Sequence, residues 1–365
     1  MSSTIKGTLK GILSSIREGK ICKIAVLTGA GCSTAAGIPD FRSAGGLYDT
    51  LRPELLTASE KEKALMRADP TMVVNIELFS QNPFPYLEVR RPFILGTAEE
   101  KWKATAAHFF IRVLFDKGLL IRLYSQNIDG LDFQTGISDQ MIVNLHGSLG
   151  KAECEFCNFP APIEEFRKSV REKIKNIYDP SDPSAPKTSS FINCTNCGRP
   201  GVKAQTVMYG CSLPDVVYEK SEADFPDNVD CLIVIGTSLS IHPAAGLVTK
   251  LHDSVPRILI NREPVGRDLG LSYAIDGEDE DVRAEAFRDA WMGQSADESV
   301  IEIAKELNML SELIAFQHLM APASQELLER YKDIGTAPLV IAPTTTIAAP
   351  PLAEPPAGIA SHSDS

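Results

Sequence analysis

This 365-residue chain lacks several features, and each absence closes off a class of protein. No apolar stretch approaches the ~20 residues that a membrane-spanning helix requires, so no membrane partner is expected. The amino-terminal MSSTIKGTLKGILSSIREGK has neither the hydrophobic core nor the small-residue cleavage site of a secretory signal. Its Leu9, Ile12, Leu13 and Ile16 fall at helical spacing instead and read as a short amphipathic helix. A basic excess is also missing. The 36 Lys and Arg stand against 48 Asp and Glu, a net charge of −12. Sequence-independent nucleic-acid binding needs a positive surface, so no direct nucleic-acid partner is expected. The composition leads to an expectation of a soluble intracellular protein, cytoplasmic by default with the nucleus open, long enough for more than one domain.

The most informative segment present is Thr28-Gly29-Ala30-Gly31-Cys32-Ser33-Thr34-Ala35-Ala36-Gly37-Ile38-Pro39-Asp40-Phe41-Arg42-Ser43. It follows an apolar run at 21–27 that reads as a buried strand. A glycine turn after such a strand, opening a helix, lets backbone N–H groups approach a phosphate. The dinucleotide fingerprint G-x-G-x-x-G is absent, however, because the glycine after Gly31 is Gly37. On the glycines alone, a plain strand-to-helix turn accounts for the segment equally well. Asp40, Phe41 and Arg42 add a carboxylate, a ring and a guanidinium beside the same turn.

Further apolar runs occur at 119–124, 141–145, 229–235 and 256–260, most rich in Val, Ile and Leu without alternation. That is the pattern of parallel strands buried on both faces. Helical patterns at 101–116 and 243–251 lie between them, so an open α/β sheet is expected, with ligands at the carboxyl ends of its strands. Those ends carry Gly29–Gly31, Gln126-Asn127-Ile128-Asp129, His146-Gly147, Gly236-Thr237-Ser238-Leu239 and Asn261-Arg262-Glu263. Any one of these is ordinary in a loop, whereas the five together favour a site. A lone histidine is more often structural, but beside Gln126, Asn127 and Asp129, His146 becomes a candidate general base. Glu263 is a candidate to hold a ribose.

Of the eight cysteines, Cys154-x-x-Cys157 and Cys194-x-x-Cys197 form two knuckles whose four thiolates suit one structural zinc; a disulfide pair is the other reading. Between the knuckles lie a helical excursion at 163–178 and a Pro/Ser loop at 180–190. Cys22, Cys32, Cys211 and Cys231 read as core or site-lining thiols. Residues 297–332 are strongly helical, and from 337 onward the proline- and alanine-rich chain reads as a disordered tail.

The ordered set Gly-Ala-Gly-x-Ser-Thr-x-x-Gly-Ile-Pro-Asp-Phe-Arg-Ser, Gln-Asn-Ile-Asp-Gly-Leu, His-Gly, the two Cys-x-x-Cys pairs, Gly-Thr-Ser-Leu and Asn-Arg-Glu resembles the sirtuin family of NAD-dependent protein lysine deacylases. More closely, it resembles the class that contains the eukaryotic cytoplasmic and nuclear deacetylases. The resemblance covers about residues 5–310. It implies an α/β fold, a Rossmann-like parallel sheet with a smaller zinc-ribbon plus helical domain. The expected divisions are 1–40, 101–147 and 205–310 for the NAD-binding domain, and 41–100 for a cofactor loop and helical insertion. The zinc-binding module is expected at 148–204, a helical extension at 311–336 and the tail at 337–365.

For the site, the resemblance implies that Ala30, Gly31, Cys32, Ser33 and Thr34 bind the NAD phosphates, and that Asp40, Phe41 and Arg42 cover the nicotinamide ribose. Gln126, Asn127, Ile128 and Asp129 would form the nicotinamide and ribose pocket, with Asn127 and Asp129 taking part in catalysis. Thr237, Ser238, Asn261, Arg262, Glu263 and Ser295 would reach the diphosphate and adenosine, and His146 would be the catalytic base. Cys154, Cys157, Cys194 and Cys197 would hold Zn²⁺. The implied products are nicotinamide, O-acetyl-ADP-ribose and free lysine, and the implied partners are acylated-lysine proteins such as histones or tubulin. The family's Val-Phe-Phe-Gly-Glu is replaced by Val207-Met208-Tyr209-Gly210-Cys211, so Val207 and Met208 would line an acyl tunnel open to longer chains. Ser295 replaces a family cysteine, and 275–289 reads as an acidic insertion. A protein mono-ADP-ribosyltransferase and a non-catalytic NAD/zinc scaffold are the alternatives; the complete Asn127, Asp129 and His146 set weighs against the scaffold.

Overall fold

The apolar runs form parallel strands. The computed structural model describes residues 3–40, 45–275 and 288–332, with side chains from residue 9 onward. Phe41 and Arg42, residues 276–287 of the acidic stretch and the tail at 337–365 lie outside the described residues. The large sheet contains β1 (Ile24–Thr28), β2 (Leu120–Ser125) and β3 (Ile142–Asn144). The second sheet contains β4 (Gly147–Cys154), β5 (Pro160–Ala161) and β6 (Val202–Thr206), after which β7 (Cys231–Ile235), β8 (Arg257–Ile260) and β9 (Ala290–Met292) return to the first. The α-helices, in chain order, are α1 (Ser3–Arg17), α2 (Glu60–Ala68), α3 (Ile76–Gln81), α4 (Phe84–Ala98) and α5 (Ala106–Asp116). They continue with α6 (Ile163–Lys173), α7 (Asp215–Asp224), α8 (Ala296–Glu306), α9 (Leu310–Ala315) and α10 (Pro322–Lys332).

Strands β3-β2-β1-β7-β8-β9 lie side by side and are all parallel. Counted within this sheet, that is the doubly wound order 3-2-1-4-5-6, whose switch point falls between β1 and β7. Alternate side chains part to two faces. Val26, Leu123, Ile233 and Ile258 share a core with α5 and α8, while Leu27, Tyr124, Val234 and Leu259 share another with Val217 of α7 and the 3-10 segment Ala244–Thr249. The expected Rossmann-like sheet is therefore present. Its sixth strand, β9, is one the sequence conceals, because three residues are too few to carry a strand pattern.

Several expectations need correcting. The glycine turn opens no α-helix: Ala30–Cys32 and Thr34–Ala36 are single 3-10 turns, the second ended by Gly37 at φ 83°. Residues 243–251, expected helical, contain the 3-10 segment Ala244–Thr249 rather than an α-helix. The helical stretch at 297–332 is interrupted, first where Asn308 takes a left-handed φ of 57° and again before Pro322. Asp289, read as part of an acidic insertion, is fully buried and receives Nε and Nη2 of Arg257 at 2.8 and 2.6 Å.

The second sheet, ordered β5-β4-β6, is antiparallel. Its Leu149, Val202 and Ala204 share one core with Met66, Phe79, Tyr86 and Leu87 of the helical insertion and Phe166 of α6. The insertion and the cysteine-bearing segment thus bury one another's apolar surface. Glu88 and Arg91 of α4 fasten the Pro/Ser loop and its neighbours: Glu88 accepts from Ser189 Oγ at 2.6 Å and Thr57 N at 2.8 Å, and Arg91 pairs with Asp182 at 3.5 Å. No described helix is long and apolar enough to cross a membrane.

Candidate active site and metal centre

At the switch point the ends of β1 and β7 meet backbone to backbone. Gly29 N donates to Ile235 O at 2.9 Å and Gly31 N to Gly236 O at 2.8 Å. A Cβ on Gly31 would lie 2.6 Å from Gly236 Cα, and one on Gly236, itself at φ +63°, 2.6 Å from Cys32 N. The glycines are thus required first by the contact of two loops. That contact leaves a cavity of about 600 Å³ over the strand ends.

Ala30, Gly31, Thr34, Asp40, Gln126, Asn127, Ile128 and His146 line this cavity, as do Val207, Met208, Thr237, Ser238, Asn261, Arg262, Glu263 and Ser295. Cys32, Ser33 and Asp129 do not. The Cys32 thiol is fully buried against Ile235 O, and burial raises it far above the ordinary thiol range. Ser33 Oγ donates to Asp129 Oδ2 at 2.7 Å, and Asn127 Nδ2 donates to Gly29 O at 3.0 Å and Ser33 Oγ at 3.3 Å. Cys32, Ser33 and Asp129 thus brace the wall from behind, while Asn127 also lines it. Ser295 reaches the cavity, but its hydroxyl caps α8 in a reciprocal box with Glu298.

His146 is held by one bond. Its Nδ1 lies 2.9 Å from Gln126 O, an acceptor only, so Nδ1 carries the proton. Nε2 is buried with no hydrogen-bond partner among the described residues. Burial lowers the pKa below the ordinary histidine value, against a smaller upward pull from Gln126. A neutral imidazole with its basic nitrogen directed at no protein group is what a general base requires.

Sequence reasoning missed a buried polar chain beneath this wall. Asp132 Oδ2 accepts from Ser125 Oγ at 2.6 Å, Asp132 Oδ1 lies 3.9 Å from His108 Nε2, and Thr105 Oγ1 donates to Cys32 O at 2.9 Å. Burial raises the Asp132 carboxyl. Ser125 immediately precedes Gln126, so this chain fixes the peptide that orients His146. The Thr105-x-x-His108 spacing at the start of α5 was the available signal, since His108 Nδ1 accepts from Thr105 N at 3.2 Å.

The four knuckle sulfurs lie within 4.8 Å of one another, with Cys154–Cys197 and Cys157–Cys194 at 3.7 Å. Zn–S bonds of about 2.3 Å place tetrahedral sulfurs about 3.8 Å apart, whereas a disulfide needs about 2.05 Å. The cluster fits one zinc with all four positions filled by protein, a structural metal. The Asn196 amide, hydrogen-bonded to Cys157 Sγ at 3.6 Å, lowers that thiol's pKa and favours the thiolate that a metal needs. For NAD the fit rests on His146 Nε2, without a partner among the described residues, and on Asn261 and Glu263, which line the cavity just past β8.

A doubly wound sheet with a polar cavity at its switch point, a buried imidazole lining it and an attached four-thiolate module is the arrangement of a nucleotide-binding α/β protein with a structural metal site. Comparison narrows the class: residues 29–243 match the Sir2 family, and the chain belongs to that family. It is 35% identical over 311 residues to the NAD-dependent protein deacetylase hst2 of Schizosaccharomyces pombe, with 83% of each chain covered. It is 33% identical over 309 residues to the NAD-dependent protein deacetylase sirtuin-2 of Danio rerio, covering 84% of this chain and 73% of that one. For the NAD-dependent protein deacetylase SIR2rp1 of Leishmania major, identity is 35% over 260 residues, covering 71% of this chain and 61% of that one.

Proposed function

We propose that the chain is an NAD-dependent protein lysine deacetylase in which His146 is the general base. The observation that carries this reading is the buried, unpartnered Nε2 of His146, its tautomer fixed by Gln126 O. When bound, NAD supplies an anomeric carbon activated by its nicotinamide leaving group. Nε2 of His146 takes the proton of a hydroxyl presented in the cavity, a role worth roughly 10²–10⁴-fold in rate. Asn127 and Asp129, locked together through Ser33, keep the facing wall in one geometry, so that reacting groups meet without reorganisation. Thr34, Asp40, Thr237, Ser238, Asn261, Arg262 and Glu263 offer the polar contacts along the rest of the cavity.

Val207 and Met208 are the proposed walls of the acyl-lysine tunnel. Val207 N donates to His146 O at 2.9 Å, which ties that segment to the strand end bearing the base. The flexible, buried Met208 supports acceptance of more than one acyl length. Acetylated lysine-rich segments such as those of histones or tubulin are the proposed substrates, in cytoplasm or nucleus, and the net charge of −12 supports a basic partner. The test is mass spectrometry of acetyl-, succinyl- and myristoyl-lysine peptides incubated with the protein and NAD. Deacetylation with nicotinamide release that depends on acyl-lysine is expected. Labelling of protein by ADP-ribose without any acyl-lysine requirement would overturn it in favour of a transferase.

A further inference from the structure

Lys203 is only 1% exposed, a burial that the cavity chemistry alone does not explain. Burying an ammonium costs several kcal/mol unless its donors are used. Lysine has three donors, and Nζ of Lys203 has three oxygens to meet them: Glu155 Oε2 at 3.0 Å, Thr206 O at 2.8 Å and Ala204 O at 3.2 Å. Two of these acceptors belong to different functional parts. Glu155 sits between Cys154 and Cys157 inside the first knuckle, and its backbone N is held by Gly201 O at 2.9 Å. Thr206 ends β6 where the chain passes into Val207 and Met208, and its Oγ1 lies 2.8 Å from Tyr86 OH, another cavity group.

We propose that Lys203 is a positioning residue for acyl-lysine recognition, coupling the metal-bearing knuckle to the Thr206–Met208 wall of the cavity through its bonds to Glu155 and Thr206. The cysteine cluster fixes Glu155, Glu155 fixes the ammonium, and the ammonium holds the Thr206 carbonyl that sets the course of the next two residues. The bonds of Lys203 go to Glu155, Ala204 and Thr206 and to no residue of the switch-point loops, so NAD affinity is expected to survive their loss. The proposal rests on the deacetylase reading for the identity of the ligand, and reciprocity gives it a readout apart from turnover. If metal retention supports acyl-lysine binding, then acyl-lysine must slow metal loss by the same coupling.

The experiment compares the full-length wild-type, Lys203→Met and Glu155→Gln proteins in their zinc-loaded form. A fluorescein-labelled acetyl-lysine peptide reports affinity by anisotropy, NAD binding is measured separately, and zinc transfer to a colorimetric chelator is timed with and without peptide. The expected results for Lys203→Met are one zinc per chain, unchanged NAD affinity, peptide binding weakened about tenfold and loss of the peptide's protection of zinc. Should Lys203→Met fail to fold, Glu155→Gln at its half-buried position must itself weaken peptide binding severalfold with NAD affinity intact. Unchanged peptide affinity in either folded variant, or equal losses for peptide and NAD, would overturn the proposal. A wild-type protein that binds no acetyl-lysine peptide would overturn the deacetylase reading instead.

Discussion

The two sheets of this protein are held together by different physics. In the six-stranded sheet every residue of β1, β7 and β8 is buried, and the strands sit between two apolar cores that need nothing beyond the chain itself. In the three-stranded sheet only three residues of β4 are buried, β5 has two residues, and the ties include a cysteine cluster, a buried lysine and the Gln205–Glu153 hydrogen bond at 2.7 Å. The first sheet is a scaffold stable by burial, on which strand ends hold the polar wall of the cavity. The second combines a shared apolar core with specific polar ties and a cysteine cluster, and it bears the segment proposed to meet acyl-lysine. Rigid nucleotide recognition and adaptable substrate recognition thus fall to regions with different sources of stability.

Removing zinc should separate the two most sharply. After chelation, backbone amides of β4 and β6 should lose hydrogen-exchange protection while those of β1, β7 and β8 keep theirs, with deacetylation abolished; uniform loss across both sheets would break the comparison. Next in size is Gly236→Ala, which places a Cβ 2.6 Å from Cys32 N at a positive φ and should destabilise the large sheet by roughly 2–3 kcal/mol in denaturant unfolding. The same Gly→Ala exchange at Gly198, where nothing lies within 4 Å of the added Cβ, should cost less, the strain of its φ of +73° alone. The pH profile gives a smaller effect with a definite sign. His146 must be neutral to act, and burial lowers its pKa, so kcat/KM should be maintained down through the ordinary histidine value of 6.5 and fall only below it. An acid limb above 6.5 would contradict the burial of the base. Smallest is Ser295→Ala, which removes the cap of α8 and should cost about 1 kcal/mol with a modest change in NAD affinity, read by thermal unfolding with and without NAD.

The division between the sheets also explains what could be read from the amino-acid string. Buried parallel strands appear as apolar runs, and the residues just past them are by topology at the ligand edge, so Gln126, Asn127, His146, Thr237 and Asn261 were legible before any coordinates. The zinc cluster was legible for a different reason, since each Cys-x-x-Cys pair is local and only the meeting of the two pairs is not. The side chains of Cys32, Ser33 and Asp129 bond within the cavity wall, to Ile235 O and to one another, which the motif does not show because it names neighbours in sequence and not which way a side chain faces at a 3-10 turn. The Asp132–Ser125 bond could not be found from spacing, nor could the burial of Lys203, whose partner Glu155 lies in the knuckle just past the end of β4. β9 escaped because its position is fixed by pairing with β8 and by the Arg257–Asp289 pair rather than by its own three residues.

We propose that His146 acts as a base on a site built independently of it. This is tested most directly by measuring NAD binding and acetyl-peptide turnover in the same preparation of His146→Ala. The account predicts NAD affinity within a few-fold of the wild type and turnover reduced by about 10²-fold or more. Turnover close to the wild type in a folded, NAD-binding variant would contradict it.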